Sequence, residues 1–401
     1  MTNVIKETIP LSFKTVLKNM HKGLFFLTTI LFIFGTLNIV NTSSFEITNN
    51  GHIYSYFLKQ CLFLVGFGGI LSIFILLFST NFYKNKIIGN IKVSHILYII
   101  ILTLTIGCFF MPDVRGAKIR FYITNTFGFQ PSEIAKVIII LALSILMEEW
   151  SNKIKNKWKV NWFIELIKFI LTGFLVPICV ILQKDLGSAS IILVISIVMF
   201  LKSEYPKKIK AWIVAGGITL VTLALVLVLG FNIGLTPAQR SRLTNFFKPC
   251  DYYTTTGYQV CNAFIAINQG GISGLGLGNS KQKYNYLVEP HTDSVFAIIA
   301  EEGGIFKTTI VLISLFMVSY ILHYMSSKIS KGIGKYICFG TSWYIFIHLF
   351  LNLGGLLGII PLTGVPLPFF SYGGTFAMCL ACSLALAQRV WVEEKTKRIK
   401  I

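Results

Sequence analysis

Acidic side chains are scarce in this chain. Its 401 residues hold 16 Asp and Glu against 36 Lys and Arg, and charged residues of both signs make up 13% of it. An average soluble domain carries about 25% charged residues. That deficit, beside 54% hydrophobic residues, excludes an ordinary soluble domain. It also excludes intrinsic disorder, which needs low hydrophobicity and high charge. No repeat with a period of roughly 20–50 residues is present, which excludes a solenoid. Histidine is sparse too. His21, His52, His95, His323 and His348 are scattered, so no metal-ligand cluster is visible. No small-residue cleavage pattern follows the first apolar run, so no cleaved signal peptide is expected. The net charge of +20 would suggest nucleic acid in a soluble protein. The apolar runs leave no room for a basic soluble domain, so the cations are read as loops at a membrane surface and no nucleic-acid partner is expected.

What the chain has is apolar runs. A span needs ~20 apolar residues to cross ~30 Å of hydrocarbon. Ten stretches qualify, at about 23–41, 56–78, 94–111, 131–149, 162–181, 187–201, 211–230, 294–325, 336–360 and 374–391. Ten spans put both termini on one side, and cations in short loops decide which. The terminal side holds 23 Lys and Arg; the other side holds nine, namely Arg115, Lys118, Arg120, Lys184, Arg240, Arg242, Lys248, Lys281 and Lys283. The expectation is an all-α integral membrane protein of about ten transmembrane helices. Both termini would be cytoplasmic, with a large outer loop at 231–293 between spans 7 and 8. Residues 1–22 form a cytoplasmic segment, 23–392 the membrane domain and 393–401 a basic tail. The nine outer cations sit in three loops. Such clustering fits an anionic ligand outside, or plain tolerance of a few translocated charges.

So few acids can be placed one by one. Glu133, Asp185, Asp293, Glu301 and Glu302 fall at or inside the outer ends of spans, where an ionisable group is costly and is a functional candidate by default. Each also has a plainer reading. Glu133 and Lys136 stand i, i+3 in QPSEIAK and share a helix face; they either lock helices together or hold a reacting group in place. Pro131 suits a first helical turn. Asp185 in LQKDLGSAS either starts a helix or faces a ligand. Asp293, in EPHTDSVFAIIAEE beside His291, is either an N-cap or a base that deprotonates a sugar hydroxyl at the water–lipid boundary. Glu301 and Glu302 suit paired charges that fix packing.

Two further segments stand out. PLTGVPLPFFSYGGT, residues 361–375, carries three prolines and three glycines between apolar spans. Irregular backbone at membrane depth is tolerated where it is buried in protein or lines a wet cavity, so Ser371 and Tyr372 either bind a polar ligand or sit in a structural turn. GGISGLGLG, residues 270–278, follows no soluble strand and is not a dinucleotide fingerprint. Six cysteines lie in spans and read as small buried residues. Cys250 and Cys261 share the outer loop, where they form a disulfide or remain two free thiols.

Taken in order, QPSEIAK, LQKDLGSA, the stretch from GYQ at 257–259 to Glu302, and PLTGVPLPFFSYGGT resemble the SEDS family of shape, elongation, division and sporulation proteins. The likeness spans about residues 20–392 and leans to the division branch rather than the elongation branch. It departs from the family pattern at Ser294, where Phe is usual, and at Phe121, where Trp is usual after Arg120.

The resemblance implies a peptidoglycan glycosyltransferase that polymerises lipid II at the outer face of the cytoplasmic membrane, at the division septum. It implies Asp293 as the catalytic residue, with Glu133, Lys136 and Asp185 in support. A single inverting displacement needs one base and a stabilised leaving group. His291 and Ser371 would help to position the sugars. The departing diphosphate would be met by Arg120, Arg240 and Arg242, with Lys281 and Lys283 as further candidates, or by a divalent cation, Mg or Mn. A class B penicillin-binding protein would supply cross-linking, beside other membrane proteins of the division complex. A lipid II flippase or transporter, and a non-catalytic scaffold, are the rival classes.

Overall fold

The computed structural model describes residues 12–43, 58, 60–88, 91–112, 117–122, 128–156, 160–216, 219, 246, 249–253, 257–284, 286–287, 290–329 and 332–399. Arg240, Arg242, most of the seventh apolar run and the first part of the long outer loop lie outside the described residues. In chain order the helices are α1 (Phe13–Asn19), α2 (Lys22–Thr42), a widened turn Leu62–Gly69 running into α3 (Ile70–Leu77), α4 (Val93–Gly107), α5 (Pro131–Lys155), α6 (Trp162–Leu182), α7 (Leu186–Lys202), α8 (Tyr258–Gly270), α9 (Val295–Lys328), α10 (Ile333–Leu356) and α11 (Gly374–Ile399).

The chain is mostly helical but not wholly so. Lys86–Ile88 pairs with Ile91–Lys92, and Phe121–Tyr122 with Gly128–Phe129, as two short antiparallel ladders. The first ladder leads directly into α4 and the second into α5. The region expected to be one outer loop holds a helix of its own, α8, because YQVCNAFIAINQG places Asn262, Ala263, Ala266 and Gly270 on one buried face.

Among the described residues six helices are long and apolar enough to cross a membrane: α2, α4 with its short extension to Phe110, α6, α9, α10 and α11. The protein is therefore a multi-pass membrane protein. Leu62–Leu77 and α7 are shorter apolar helices. Burial sorts the six. The apolar windows of α10 and α11 are 78% and 72% buried, while those of the other four are between 28% and 33% buried. Apolar helices that stay exposed within the chain face lipid; α10 and α11 form the interior, packed with α5 and α7. Gly340 of α10 lets Ile140 of α5 and Met199 of α7 close in. Small residues let backbones approach where no hydrophobic effect drives helices together. Gly35 of α2 sits so close to Phe369 that a Cβ would lie 1.9 Å from its carbonyl oxygen.

Charges are paired at one end of the bundle. Arg389 of α11, 2% exposed, donates to Glu393 and to the Leu76 and Leu77 carbonyls, and Glu393 accepts from the Thr80 amide and hydroxyl. Lys84 pairs with Glu148 at 2.5 Å, and Lys92 with Glu149. Glu165 accepts from Trp150, Lys153 and Lys168. The His21 amide donates to Gln388 and its carbonyl accepts from the same side chain. These contacts gather the N-terminal segment, the α3–α4 turn and the C-terminal ends of α5 and α11. The opposite ends of α5 and α11 carry the residues described next.

Candidate functional site

The site grows from the N-terminus of α5. Pro131 starts the helix, where its missing amide proton costs nothing. One turn in, Lys136 donates to Glu133 Oε1 at 2.7 Å, and both side chains are buried. An i, i+3 pair in a dry interior is held by mutual neutralisation. Lys136 also reaches Nε2 of His348 on α10 at 3.1 Å, and Nδ1 of that ring faces the Pro366 carbonyl at 3.4 Å. Just before the helix, Gln130 donates to Asp185 Oδ2 at 2.9 Å, with the Ser188 hydroxyl at 3.4 Å, and its amide points at Thr375 of α11.

Asp185 caps α7. Its Oδ1 accepts from the Ser188 amide at 3.0 Å. The turn before it closes by Lys184 and Asp185 amides returning to Ile181 and Val180, with Lys184 at φ 66° in the left-handed conformation that ends many helices. Capping and ligand contact are not exclusive: Oδ2 is occupied by Gln130, and the carboxyl group is only half-buried. Gly187 follows with no side chain, so the 363–365 backbone packs directly on it; an added Cβ would lie 3.2 Å from Thr363 O.

On the far side of that backbone stands Asp293. A Cβ added to Gly364 would lie 3.7 Å from Asp293 Oδ2, and Gly364 itself is exposed. Asp293 is 9% exposed, and its Oδ1 accepts from Thr292 at 3.2 Å. Its backbone is held independently. Asn352 Nδ2 donates to the carbonyls of Asp293, at 2.9 Å, and Val365, at 2.8 Å. The Ser371 hydroxyl donates to Thr292 O at 2.5 Å and accepts from the Leu367 amide at 2.6 Å. The Tyr372 amide donates to His291 O at 2.7 Å, and the two rings meet edge to face at 5.6 Å. Ser371 and His291 thus brace the loop that carries Asp293. Ser294 accepts from Gln259 of α8, which ties that helix to the same loop.

Arg120 is exposed at the start of its ladder, and its charge acts on the Tyr372 phenol. Burial raises the pKa of that phenol above its ordinary value, and Arg120 opposes the rise in part. Arg120 therefore stands at the Asp293 end. Lys281 and Lys283 stand elsewhere, on the glycine-rich segment. Lys283 is buried in a closed set with Glu302 at 3.4 Å, Asn41 Oδ1 at 2.9 Å and Gly278 O at 2.7 Å. Glu301 accepts from the Ser280 hydroxyl and from the Lys281 and Gln282 amides. These two carboxylates bind the 274–284 segment to α9. Gly304, at φ 65°, breaks α9, and the Leu275 and Gly276 amides take the Glu301 and Glu302 carbonyls. Cys250 and Cys261 are joined in a disulfide, Cα–Cα 5.1 Å, which fastens the 249–252 turn to α8. Among the described residues no three His, Cys, Asp or Glu side chains gather as a metal-ligand set.

The model of the FtsW, RodA and SpoVE family, described as cell cycle proteins, matches residues 22–396. The chain is 31% identical over 387 residues to a protein of Bacillus subtilis (strain 168) named probable peptidoglycan glycosyltransferase FtsW, covering 94% of this chain and 92% of that one. The chain belongs to the SEDS family, that of FtsW, RodA and SpoVE. A second SEDS relative, stage V sporulation protein E of the same bacterium, is 30% identical over 329 residues, covering 80% of this chain and 82% of its own. Among solved structures, a chain of a peptidoglycan synthase complex superposes with a TM-score of 0.71 at 22% identity, covering 94% of this chain and 98% of that one. The rod-shape-determining protein RodA of Thermus thermophilus superposes at 0.64 with 20% identity, covering 93% and 96%. At those identities the likeness is one of SEDS fold.

Two site residues escaped the sequence reading. His348 counted as one more scattered histidine, and Asn352 was not singled out at all. The available signal was their spacing: four apart on an apolar helix, they share a face, and two polar residues on one face of a buried helix call for partners.

Proposed function

We propose that this SEDS protein is a peptidoglycan glycosyltransferase that polymerises lipid II on the outer face of the cytoplasmic membrane, at the division septum. It spans the membrane ten times with both termini inside. The placement of Asp293 carries the reading. Its backbone is clamped from α10 and from 371, its carboxylate lies beside the bare backbone of Gly364, and the exposed cation Arg120 lies at the same end. A carboxylate so placed can meet a sugar hydroxyl while the bilayer holds the polyprenyl tail. Asp293 takes the proton from the acceptor hydroxyl, that oxygen attacks the donor anomeric carbon with inversion, and the lipid diphosphate departs. The carboxylate is acceptor-only when ionised, as the role requires. Arg120 offers charge to the departing diphosphate, with Arg240 and Arg242 in the same task. Lys283 is spent on Glu302 and serves structure. Asp185, held by Gln130 and Ser188, lines the same region across 363–365.

Among the described residues no three His, Cys, Asp or Glu side chains come together to hold Mg or Mn. The names of the FtsW relatives support the activity, and the structural kinship with a chain of a synthase complex supports a partner that cross-links the product, a class B penicillin-binding protein.

The test is direct. Purified protein in vesicles, with and without such a partner, is given labelled lipid II, and both polymer and transbilayer movement are followed. Glycan strands support the reading. Lipid II movement with no polymer in either condition overturns it in favour of a transporter.

A further inference from the structure

His348 belongs to none of the motifs that mark the site, yet it links two of them. Its ring is fully buried, stacked on Phe376 at 4.7 Å and edge-on to Tyr344 at 4.9 Å. Both nitrogens face groups whose hydrogen-bonding sense is fixed. The Lys136 ammonium can only donate, so Nε2 accepts; the Pro366 carbonyl can only accept, so Nδ1 donates. The ring is therefore neutral, with its proton on Nδ1, and a flipped or doubly protonated ring loses a contact.

What it grips matters more. Pro366 follows Val365, whose carbonyl is held by Asn352, and precedes Leu367, whose amide is held by Ser371. Asn352 stands one helical turn beyond His348, and its amide also holds the Asp293 carbonyl. Two adjacent turns of α10 thus hold 365–366 and the Asp293 backbone together. The inner turn is anchored by the buried Glu133–Lys136 pair. Catalytic groups tolerate little displacement: a shift of ~1 Å can cost ~100-fold in rate.

We propose that His348 is a positioning residue for glycosyl transfer. It ties the Glu133–Lys136 pair to the Pro366 carbonyl and so sets, with Asn352, the backbone on which Asp293 is carried. This rests on the reading of the chain as a glycosyltransferase with Asp293 as base. A residue that only fills the core would answer to shape alone; a positioning residue answers to its donor and acceptor. His348→Phe keeps an aromatic ring against Phe376 and Tyr344 and removes both nitrogens. His348→Gln keeps one donor and one acceptor and removes the aromatic ring.

The experiment measures polymerisation of labelled lipid II by the purified full chain, with kcat and KM separated and thermal unfolding measured alongside. For His348→Phe, kcat falls on the order of 10–100-fold while KM stays within about 2-fold, because the substrate contacts are untouched. His348→Gln returns kcat to within about 5-fold of wild type. If the Phe variant does not fold, His348→Asn carries the same prediction as Phe, its amide being too short to reach from Lys136 to Pro366. A wild-type kcat in the Phe variant overturns the proposal. So does an equal loss in the Phe and Gln variants at unchanged thermal stability. Wild-type protein that makes no polymer overturns the enzymatic reading itself, and this proposal falls with it.

Discussion

Lys136 has no water to turn to. It is 1% exposed, and its charge is satisfied by Glu133 and His348 alone. Breaking a buried ion pair by removing one partner costs more than replacing both, because the survivor keeps an uncompensated charge. Lys136→Met therefore destabilises by about 3–5 kcal/mol, and adding Glu133→Gln recovers most of that. Thermal unfolding in detergent reads both. A double variant as unstable as the single would show that something other than charge compensation holds this turn. The spacing of QPSEIAK made the pair visible beforehand, since i, i+3 on a helix is a local fact. The third member was not visible. His348 lies 212 residues away, and no local spacing encodes which face of α10 meets which face of α5.

At the scale of elements, α9 shows how a glycine break is used. Its helical hydrogen bonding is interrupted at Gly304, and the freed carbonyls of Glu301 and Glu302 are taken by the Leu275 and Gly276 amides. The glycine-rich run is thus a strap across a helix kink. Gly274 is the tight point: φ is 80°, and a Cβ would lie 2.3 Å from Glu302 O. Gly274→Ala should cost roughly 3 kcal/mol, from strained φ plus a backbone clash. Gly278→Ala, at φ 83° with open space around it, should cost only about 1 kcal/mol. Unfolding free energies of the two variants check the contrast, and equal costs would mean that the strap does not press on α9. The apolar runs were legible because membrane helices announce themselves by length and hydropathy. The kink, the strap and α8 within the segment between apolar runs were not. Each depends on contacts between segments that composition reads as loop.

The whole molecule divides its work between two ends. One end pairs its charges: Arg389 with Glu393, Lys84 with Glu148, Glu165 with Lys153 and Lys168. The other sets Asp185 and Asp293 against the 363–365 backbone, with the charge of Arg120 acting on Tyr372. Charge asymmetry between loops was readable from the sequence because it needs only a count of cations between apolar runs. Which acids near the ends of those runs stand close together was not. Arg389→Met should lower stability by roughly 2–4 kcal/mol, through lost charged hydrogen bonds and an unpaired Glu393. The turnover of the folded fraction should stay within about 2-fold, because the site lies at the far end. A drop in turnover at unchanged stability would show the ends to be coupled. Glycosyl transfer by this chain depends on Asp293. The most direct measurement is the rate of lipid II polymerisation by purified Asp293→Asn protein, which keeps the shape of the side chain and loses its basicity. Loss of general-base catalysis should lower the rate about 100-fold or more, with lipid II binding and thermal stability intact. Polymerisation at the wild-type rate would contradict it.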